Sequence, residues 1–577
     1  MPVKSPIPDV DVPHVDIATY LFAKAQARVD ALAAAGVSEP PLVIDAVSGG
    51  SLCFSEIKRK ALAIARGVSA LIPMDPTSKS ENGGQDICID RAVLVLMRSN
   101  VMYSAVHFGI MMTGCTHVVL DSKLGAQELE ARLKEIGLTS VVAAFVDAEA
   151  VDMLESAAEI AGVELQKQAI FTISNDEHLA LGTLAQENID KPFMPYKFTP
   201  EETATLPALV VYSSGTSGRA KGIMLTHRNI LAVCTMFRGY STQTATVDGR
   251  TRADTDSDDI RRSQYLMLAL FPPCHIYGHY VLTYYALLND CCMVFVKGFE
   301  VTLFLEVIER YKITHISITT NIMRTLLHET TKVDACTVRI RDNPEAKFHI
   351  GSVINIVCSG SNAPLALRCR YSEYFGGAPV IVGYGQSESS SIIAGNTWGI
   401  QAAPGAVGVL CPNSVAKVID ANGNETDALS ELCISGPHIM KGYAGNVKSP
   451  IVDGFLHTGD YARLSTDGHV YLHGRLADVV HTAQGLIIPT DVEAMLADNP
   501  AILDSAVVGV GAKGEAQAVV LLVLADSDVP KKELLADISQ FIKAKTANPH
   551  IACREITNLP RNLAGKVIPH LLLEQIN

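Results

Sequence analysis

Cysteine chemistry of the structural kind is missing from this sequence. Its 13 cysteines form no C-x-x-C pair and no His/Cys cluster with zinc spacing along the chain. Their odd number and lack of framework spacing argue against a disulfide-stapled scaffold and for a reducing compartment. Cys115, Cys358 and Cys433 sit in apolar runs, where a thiol serves as a small hydrophobe. An uninterrupted membrane-length apolar run is also lacking. The most apolar long stretch, residues 280–296, is broken by Asn289 and Asp290, which marks it as buried core. The opening residues, MPVKSPIPDVDVPHVD, carry acids and prolines where a secretory apolar core would stand, and the closing EQIN is not a peroxisomal tripeptide. A cytoplasmic protein without an integral membrane segment is expected. Charged residues are scarce at 19% beside 48% hydrophobic ones, a globular composition with little room for disorder. The balance of 47 Lys and Arg against 61 Asp and Glu, a net charge of −14, disfavours nucleic acid as a partner but leaves room for a local basic patch that binds an anionic cofactor. At 577 residues the chain exceeds what one core serves and implies a large body with at least one further domain.

What is present centres on residues 210–230, VVYSSGTSGRAKGIMLTHRNI. Val210, Val211 and Tyr212 read as the end of a buried strand, and the loop after them is a phosphate cradle in residue types. Gly215 and Gly218 let backbone approach a ligand, Ser213, Ser214, Thr216 and Ser217 offer donors, and Lys221 adds positive charge. A Walker A loop is excluded, because Gly218 is followed by Arg219 and Ala220 instead of Lys and a hydroxyl residue.

Around this loop the pattern alternates. Residues 16–35 have helical spacing, two short strands flank the Gly49-Gly50 turn, and Ser55 is read as the cap of a helix running to about Leu71. From 92 the order is strand (AVLVLM), helix (100–114), strand (THVVLD), helix (126–136), strand (VVAAFV) and helix (148–161), which implies a parallel sheet covered by helices. Residues 76–87 read as a polar loop and 242–262 as an exposed, mobile insertion. The strand 265–270 runs into Phe271-Pro272-Pro273-Cys274-His275-Ile276-Tyr277-Gly278, which puts His275 and Tyr277 at a strand's carboxyl end, where open parallel sheets bind ligands. Strands at 353–358 and 380–382 end in Ser359-Gly360-Ser361-Asn362-Ala363-Pro364 and Gly383-Tyr384-Gly385-Gln386-Ser387-Glu388-Ser389. There Tyr384 offers a flat face to a purine, Ser387 a hydroxyl to a phosphate and Glu388 a hard carboxylate to Mg²⁺. GQSES approaches a hydrolase elbow but lacks its final Gly. Gly509-x-Gly511-x-x-Gly514 precedes an apolar strand instead of a helix, so it is a hairpin turn and not a dinucleotide fingerprint.

These motifs resemble, in order, those of the adenylate-forming superfamily of acyl-CoA ligases, peptide-synthetase adenylation domains and luciferases. The loop at 213–222 is similar to SSGTTGxPKG, with Ser217 and Ala220 as departures, and 384–388 is similar to YGxTE, with Ser387 for Thr. ELCISGPHIMKGY at 431–443, the TGD of Thr458-Gly459-Asp460, Arg475 and the PRNLAGKV that carries Lys566 follow. The resemblance implies an α/β fold. It comprises a large N-terminal domain of parallel or mixed sheets with flanking helices and a β-barrel-like subdomain (1–474), a hinge (475–478) and a small mobile α+β C-terminal domain (479–577). It assigns ATP to the loop Ser213–Gly218 with Lys221, to Ser361, Asn362 and Ala363, to Gly383–Gln386, and to Asp460 and Arg475 at the ribose. Mg²⁺ falls to Glu388 and Thr216, and the acyl pocket to His275, Tyr277, Gly278, Gly360 and Gly385. Lys566, Glu388, Ser387 and His275 are the implied catalytic set. An α-amino acid is disfavoured, because Pro273-Cys274-His275 replaces the Asp that such domains carry. An aryl or medium-chain aliphatic acid is expected.

The implied reaction forms an acyl-adenylate from a carboxylic acid and ATP, then passes the acyl group to coenzyme A after the small domain rotates. Departures gather on the thiol side: Ala477 stands at the usual hinge Asp or Lys, ahead of Asp478, His481 replaces a frequent Lys, and Gln484 replaces a Gly that is displaced to Gly485. No carrier or reductase segment is read after Lys566, so an acceptor other than CoA, such as a carrier protein, would act in trans. A luciferase-like oxygenase and a non-catalytic nucleotide-binding paralogue share the same motifs.

Overall fold

The computed structural model describes residues 2–576 except 73–90, 174–192, 214–219, 243–245, 248–249, 252–264, 290, 333–337, 340–347, 361–362, 397–401, 498, 500, 513, 526–528 and 562–565. The polar loop 76–87 and most of the 242–262 insertion therefore lie outside the described residues.

Two sheets dominate. In the first, Pro207–Tyr212, Thr116–Val119, Ala92–Leu96, Ala143–Asp147 and Ile170–Ile173 run parallel in that order. Their residues are largely buried on both faces, which is why they read as continuous apolar runs. Gly222–Thr226 then turns back antiparallel on Pro207–Tyr212 and pairs on its other side with Gly442–Tyr443, so Ser213 and Lys221 stand at the neighbouring ends of two adjacent strands. In the second sheet, Val43–Asp45, Cys292–Phe295, Leu266–Ala269, His315–Thr319, Asn355–Ser359 and Val380–Tyr384 form a parallel row. The row continues through antiparallel Ala394–Gly395, Gly408–Leu410, His469–Arg475, Phe455–Leu464, Ser430–Ser435 and Val415–Ile419. The described strands of this antiparallel part extend the sheet as an open path and do not close into a barrel.

One apolar cluster joins both sheets through the helices Ile17–Ala34, Phe54–Ser69 and Tyr103–Met111. Two others draw only on residues from Val480 onward, around the sheet Ile502–Val510, Gln517–Leu524 and Ala552–Glu555. The Gly511–Gly514 stretch is the turn of an antiparallel hairpin, as its following strand requires. One local expectation fails. The helix at 54 is capped at Cys53 and not at Ser55, because Glu56 reaches back to accept the Cys53 amide at 3.0 Å while the Ser55 amide donates to Glu39 at 2.9 Å. No described helix is long and apolar enough to cross a membrane.

Candidate active site

Strand ends of the second sheet, Ser213 and Lys221 of the first and Lys566 meet at one cavity of about 400 Å³. Its wall includes Ser213, Lys221, His275, Tyr277, Gly360, Gly383, Gly385, Gln386, Ser387, Glu388, Arg475, Ala477, Asp478 and Lys566. An adjoining cavity of about 570 Å³ adds Tyr384, Asp460 and His481. Ser214, Gly215, Thr216, Ser217, Gly218, Ser361 and Asn362 lie outside the described residues. Ala363 is buried in the core behind the site and lines neither cavity. Gln484 and Gly485 form the exposed turn of the hairpin Val480–Thr482/Gly485–Ile487 and also line neither.

Asp460 is the best-held carboxylate. Strand pairing sets it opposite Arg475, whose Nε lies 3.1 Å from its Oδ1, while the Tyr384 hydroxyl donates to Oδ2 at 2.6 Å and the Gln386 amide donates to the same oxygen. Gln386 and Arg475 also each donate to the Thr458 carbonyl at 2.9 Å. A buried carboxylate that accepts from several donors, one of them a guanidinium, is held in place. Tyr384, expected to offer its face to a purine, thus also orients Asp460 through its hydroxyl.

Glu388 sits in the short helix Ser387–Ser389, and its Oε1 accepts from the Tyr443 hydroxyl at 2.9 Å. The Lys221 ammonium lies 4.8 Å from the centre of the Tyr443 ring. Tyr443 therefore couples the phosphate-loop lysine to the candidate metal carboxylate, a role that sequence reasoning missed although the residue ends the 431–443 motif. Gly385 is required here, because a Cβ would stand 1.9 Å from the Ser391 carbonyl oxygen.

Lys566 enters this site from the far end of the chain. Burial and then the Arg475 guanidinium lower its pKa, against the opposing pull of Asp460, Glu388 and Asp478. Burial raises Asp478, which Arg475 partly offsets. His275 is held at about 4 by burial, with Lys566 adding to the effect, so its imidazole is neutral. Its ring accepts from the Tyr277 amide at 3.3 Å, and the Tyr277 hydroxyl accepts from Ser317 at 3.0 Å. Gly278 lets the segment fold tightly, since a Cβ there would meet the Pro272 carbonyl oxygen at 2.2 Å.

A second feature escaped sequence reasoning. Asp504 of the strand Ile502–Val510 binds Arg324 of the helix Thr320–Lys332 through Oδ1 and Arg561 through Oδ2, the latter at 2.6 Å. Arg561, five residues before Lys566, is thereby linked through Asp504 to Arg324.

The pattern of the AMP-binding enzyme family matches residues 87–444. The chain belongs to that family. Among curated relatives of this AMP-binding enzyme, 4-coumarate–CoA ligase of Pinus taeda is 25% identical over 92% of this chain and 90% of its own. 4-Coumarate–CoA ligase-like 6 of Arabidopsis thaliana is 24% identical over 91% and 86%. Among solved structures, ATP-bound MatB from Rhodopseudomonas palustris superposes with a TM-score of 0.75 at 21% identity, covering 96% of this chain and 98% of that one. The anthranilate CoA ligase AuaEII, in complex with anthranoyl-AMP, gives 0.74 at 17% identity, covering 96% of each. The fold is that of adenylate-forming enzymes.

Proposed function

We propose that this AMP-binding enzyme activates a carboxylic acid as its acyl-adenylate and transfers the acyl group to coenzyme A. The observation that carries the reading is the convergence of Lys566, Lys221, Arg475 and Glu388 on one cavity from four separate stretches of chain. In the first half-reaction an acid oxygen bonds the α-phosphorus of ATP. The bond to the bridging oxygen breaks, and pyrophosphate leaves with the electron pair. The nucleophile is already anionic, so the barrier is charge repulsion, and preorganised cations lower it. Lys221 and Lys566 provide that charge, Asp460 takes the ribose hydroxyls, and neutral His275 with Tyr277 borders the acid. A hard cation suits the donors at Glu388 and Ser387; Glu388, with Thr216 by resemblance, would hold Mg²⁺, which supplies further neutralisation of phosphate charge.

In the second half-reaction a thiol sulfur bonds the acyl carbon, AMP leaves and the thiol proton is released. We assign the exchange of active faces to rotation of residues 479–577 about 475–478, a reading supported by the separate apolar clusters beyond Val480. The acid is aryl or medium-chain aliphatic: Phe237, Met267, Ile276, Tyr280, Val281 and Ile392 line the cavity beyond His275. Asn355 Oδ1 and Asn396 Oδ1 face no partner among the described residues, which favours an acid with a hydrogen-bond donor on its tail.

The test is mass spectrometry of products from Mg·ATP, CoA and a panel of aryl and aliphatic acids, with Lys566→Ala in parallel. Acyl-CoA from one acid class, lost in the variant, supports the proposal. Acyl-AMP without thioester supports the second reading, an acceptor such as a carrier protein, which Ala477, His481 and Gln484 favour. Light or oxygen uptake would mark an oxygenase, and ATP binding without acid-dependent pyrophosphate release a non-catalytic paralogue.

A further inference from the structure

Behind the segment that carries His275 and Tyr277, three imidazoles meet in the core. His107 comes from the helix Tyr103–Met111, His117 from the strand Thr116–Val119 and His279 from the helix Ile276–Tyr280. All three are fully buried. One ring nitrogen of each lies within 4.8 Å of a ring nitrogen of the other two. The ring centres are 5.0, 4.6 and 5.6 Å apart. Three imidazoles sharing one tetrahedral zinc, with nitrogens at about 2.0–2.1 Å, hold their ring centres roughly 5 Å apart. The backbone has therefore set the rings at the spacing of a tris-histidine site.

A fourth donor atom, an oxygen, is also in place. The Tyr284 hydroxyl lies 2.9 Å from His107 Nε2 and 3.3 Å from His279 Nε2. It is brought there by the π-helical turn Val281–Tyr285, a rare element that recurs at functional sites. His107 Nδ1 and His117 Nδ1 stand 2.8 Å apart, and Tyr103 is hydrogen-bonded to His279 Nδ1 at 2.9 Å. Hydrogen bonding alone leaves the group incomplete. The contacts run His117–His107–Tyr284–His279–Tyr103, and His117 Nε2 has no partner among the described residues at zero exposure. An orphaned buried polar atom costs about 1–3 kcal/mol, and apolar side chains filling the same space would avoid that cost.

We propose that His107, His117 and His279, with Tyr284 as the fourth ligand, form a closed zinc-class site. It ties the first sheet to the segment that borders the acid. Imidazole and phenol ligands suit a borderline divalent ion, and four protein ligands leave no open position, so the role is structural.

The test uses the full chain purified without a histidine tag. Expected are about one zinc per chain by elemental mass spectrometry after exhaustive dialysis, and a melting temperature lowered by strong chelation and restored by zinc. Cobalt added to the stripped protein gives the intense visible bands of a tetrahedral site. His117→Gln, with an unchanged circular dichroism spectrum, retains roughly tenfold less zinc and loses those bands. If that variant fails to fold, the zinc content and cobalt spectrum of the unaltered chain still decide. Zinc below about a tenth of an equivalent with no chelator effect would overturn the proposal and leave a hydrogen-bonded network. So would zinc that survives in His117→Gln but disappears in Cys433→Ser, which would place the ion at Glu431, Cys433 and His457.

Discussion

Under the proposed mechanism, Asp504→Asn should separate the two half-reactions. The Asp504 carboxylate, 17% exposed, bridges Arg324 and Arg561, which are 23% and 14% exposed, so solvent screens these bonds only weakly. Charge-assisted hydrogen bonds contribute about 1.5–3 kcal/mol each, and asparagine keeps one neutral acceptor while turning an amide toward a guanidinium. The arrangement that holds the Lys566 loop at the cavity therefore loses about 2–3 kcal/mol, a factor of roughly 30–150. Pyrophosphate exchange reads the first half-reaction, which in the proposed mechanism needs Lys566 in place, and is expected to fall by that factor. Thioester formation from presynthesised acyl-adenylate reads the second half, which needs the loop withdrawn, and is expected to stay within about threefold. Arg324→Gln should repeat the pattern, and the double variant should cost about 2 kcal/mol less than the sum of the singles. An equal fall in both half-reactions, or a loss under about twofold in the first, refutes the idea that this bridge docks the lysine loop.

Glu493 is raised from 4.5 to about 7 by burial, against the opposing charge of Arg324. A folded-state value above the unfolded one contributes stability that is complete below the unfolded pKa and lost as pH rises through the folded pKa. Denaturant titrations at about pH 5 and about pH 8 should show wild type losing on the order of 2 kcal/mol relative to Glu493→Gln, and parallel curves would contradict the shift. Tyr384→Phe removes the 2.6 Å bond to Asp460 but leaves Arg475 and Gln386. The KM for ATP should rise roughly 5–30-fold with kcat nearly unchanged, and an unaltered KM would show that Asp460 needs no help from the phenol. Gly278→Ala places a Cβ 2.2 Å from a backbone oxygen, whereas Gly298 has nothing within 4 Å of one. Thermal unfolding should show Gly278→Ala destabilised by about 2 kcal/mol and Gly298→Ala close to wild type, and equal effects would contradict the packing at the 271–278 turn.

The sequence was most legible where function occupies a contiguous stretch. His275, Tyr277, Gly385, Glu388 and Asp460 each follow a recognisable strand or turn, and parallel topology places several of these ends at one cavity. Cross-chain pairing was not legible. Tyr443 is 55 residues from Glu388 and Arg324 is 180 from Asp504, and nothing in either segment alone names its partner. The histidine cluster was missed for a related reason. A search for metal ligands by spacing finds sites built on one hairpin or helix, whereas His107, His117 and His279 converge through tertiary packing. The cap at Cys53 was misread because hydroxyl preference is a local rule, and Glu56, one residue past Ser55, won the competition.

The charges of the cavity bear on why Lys566 is buried at all. Lys221, Arg475 and Lys566 line the first cavity with Glu388 and Asp478, and Asp460 stands in the adjoining one. Burial and Arg475 make Lys566 a weaker base than it would be in water. A polyphosphate entering beside it favours the charged ammonium and so strengthens proton binding, and by linkage the protonated lysine strengthens polyphosphate binding. The same coupling disappears when pyrophosphate leaves, since the anion that stabilised the buried ammonium has gone. Under the proposed reaction, the Lys566 ammonium has Asp460, Glu388 and Asp478 beside it throughout and the polyphosphate only until the first half-reaction is complete. On that proposal, loss of the polyphosphate would itself favour withdrawal of Lys566 between the two half-reactions.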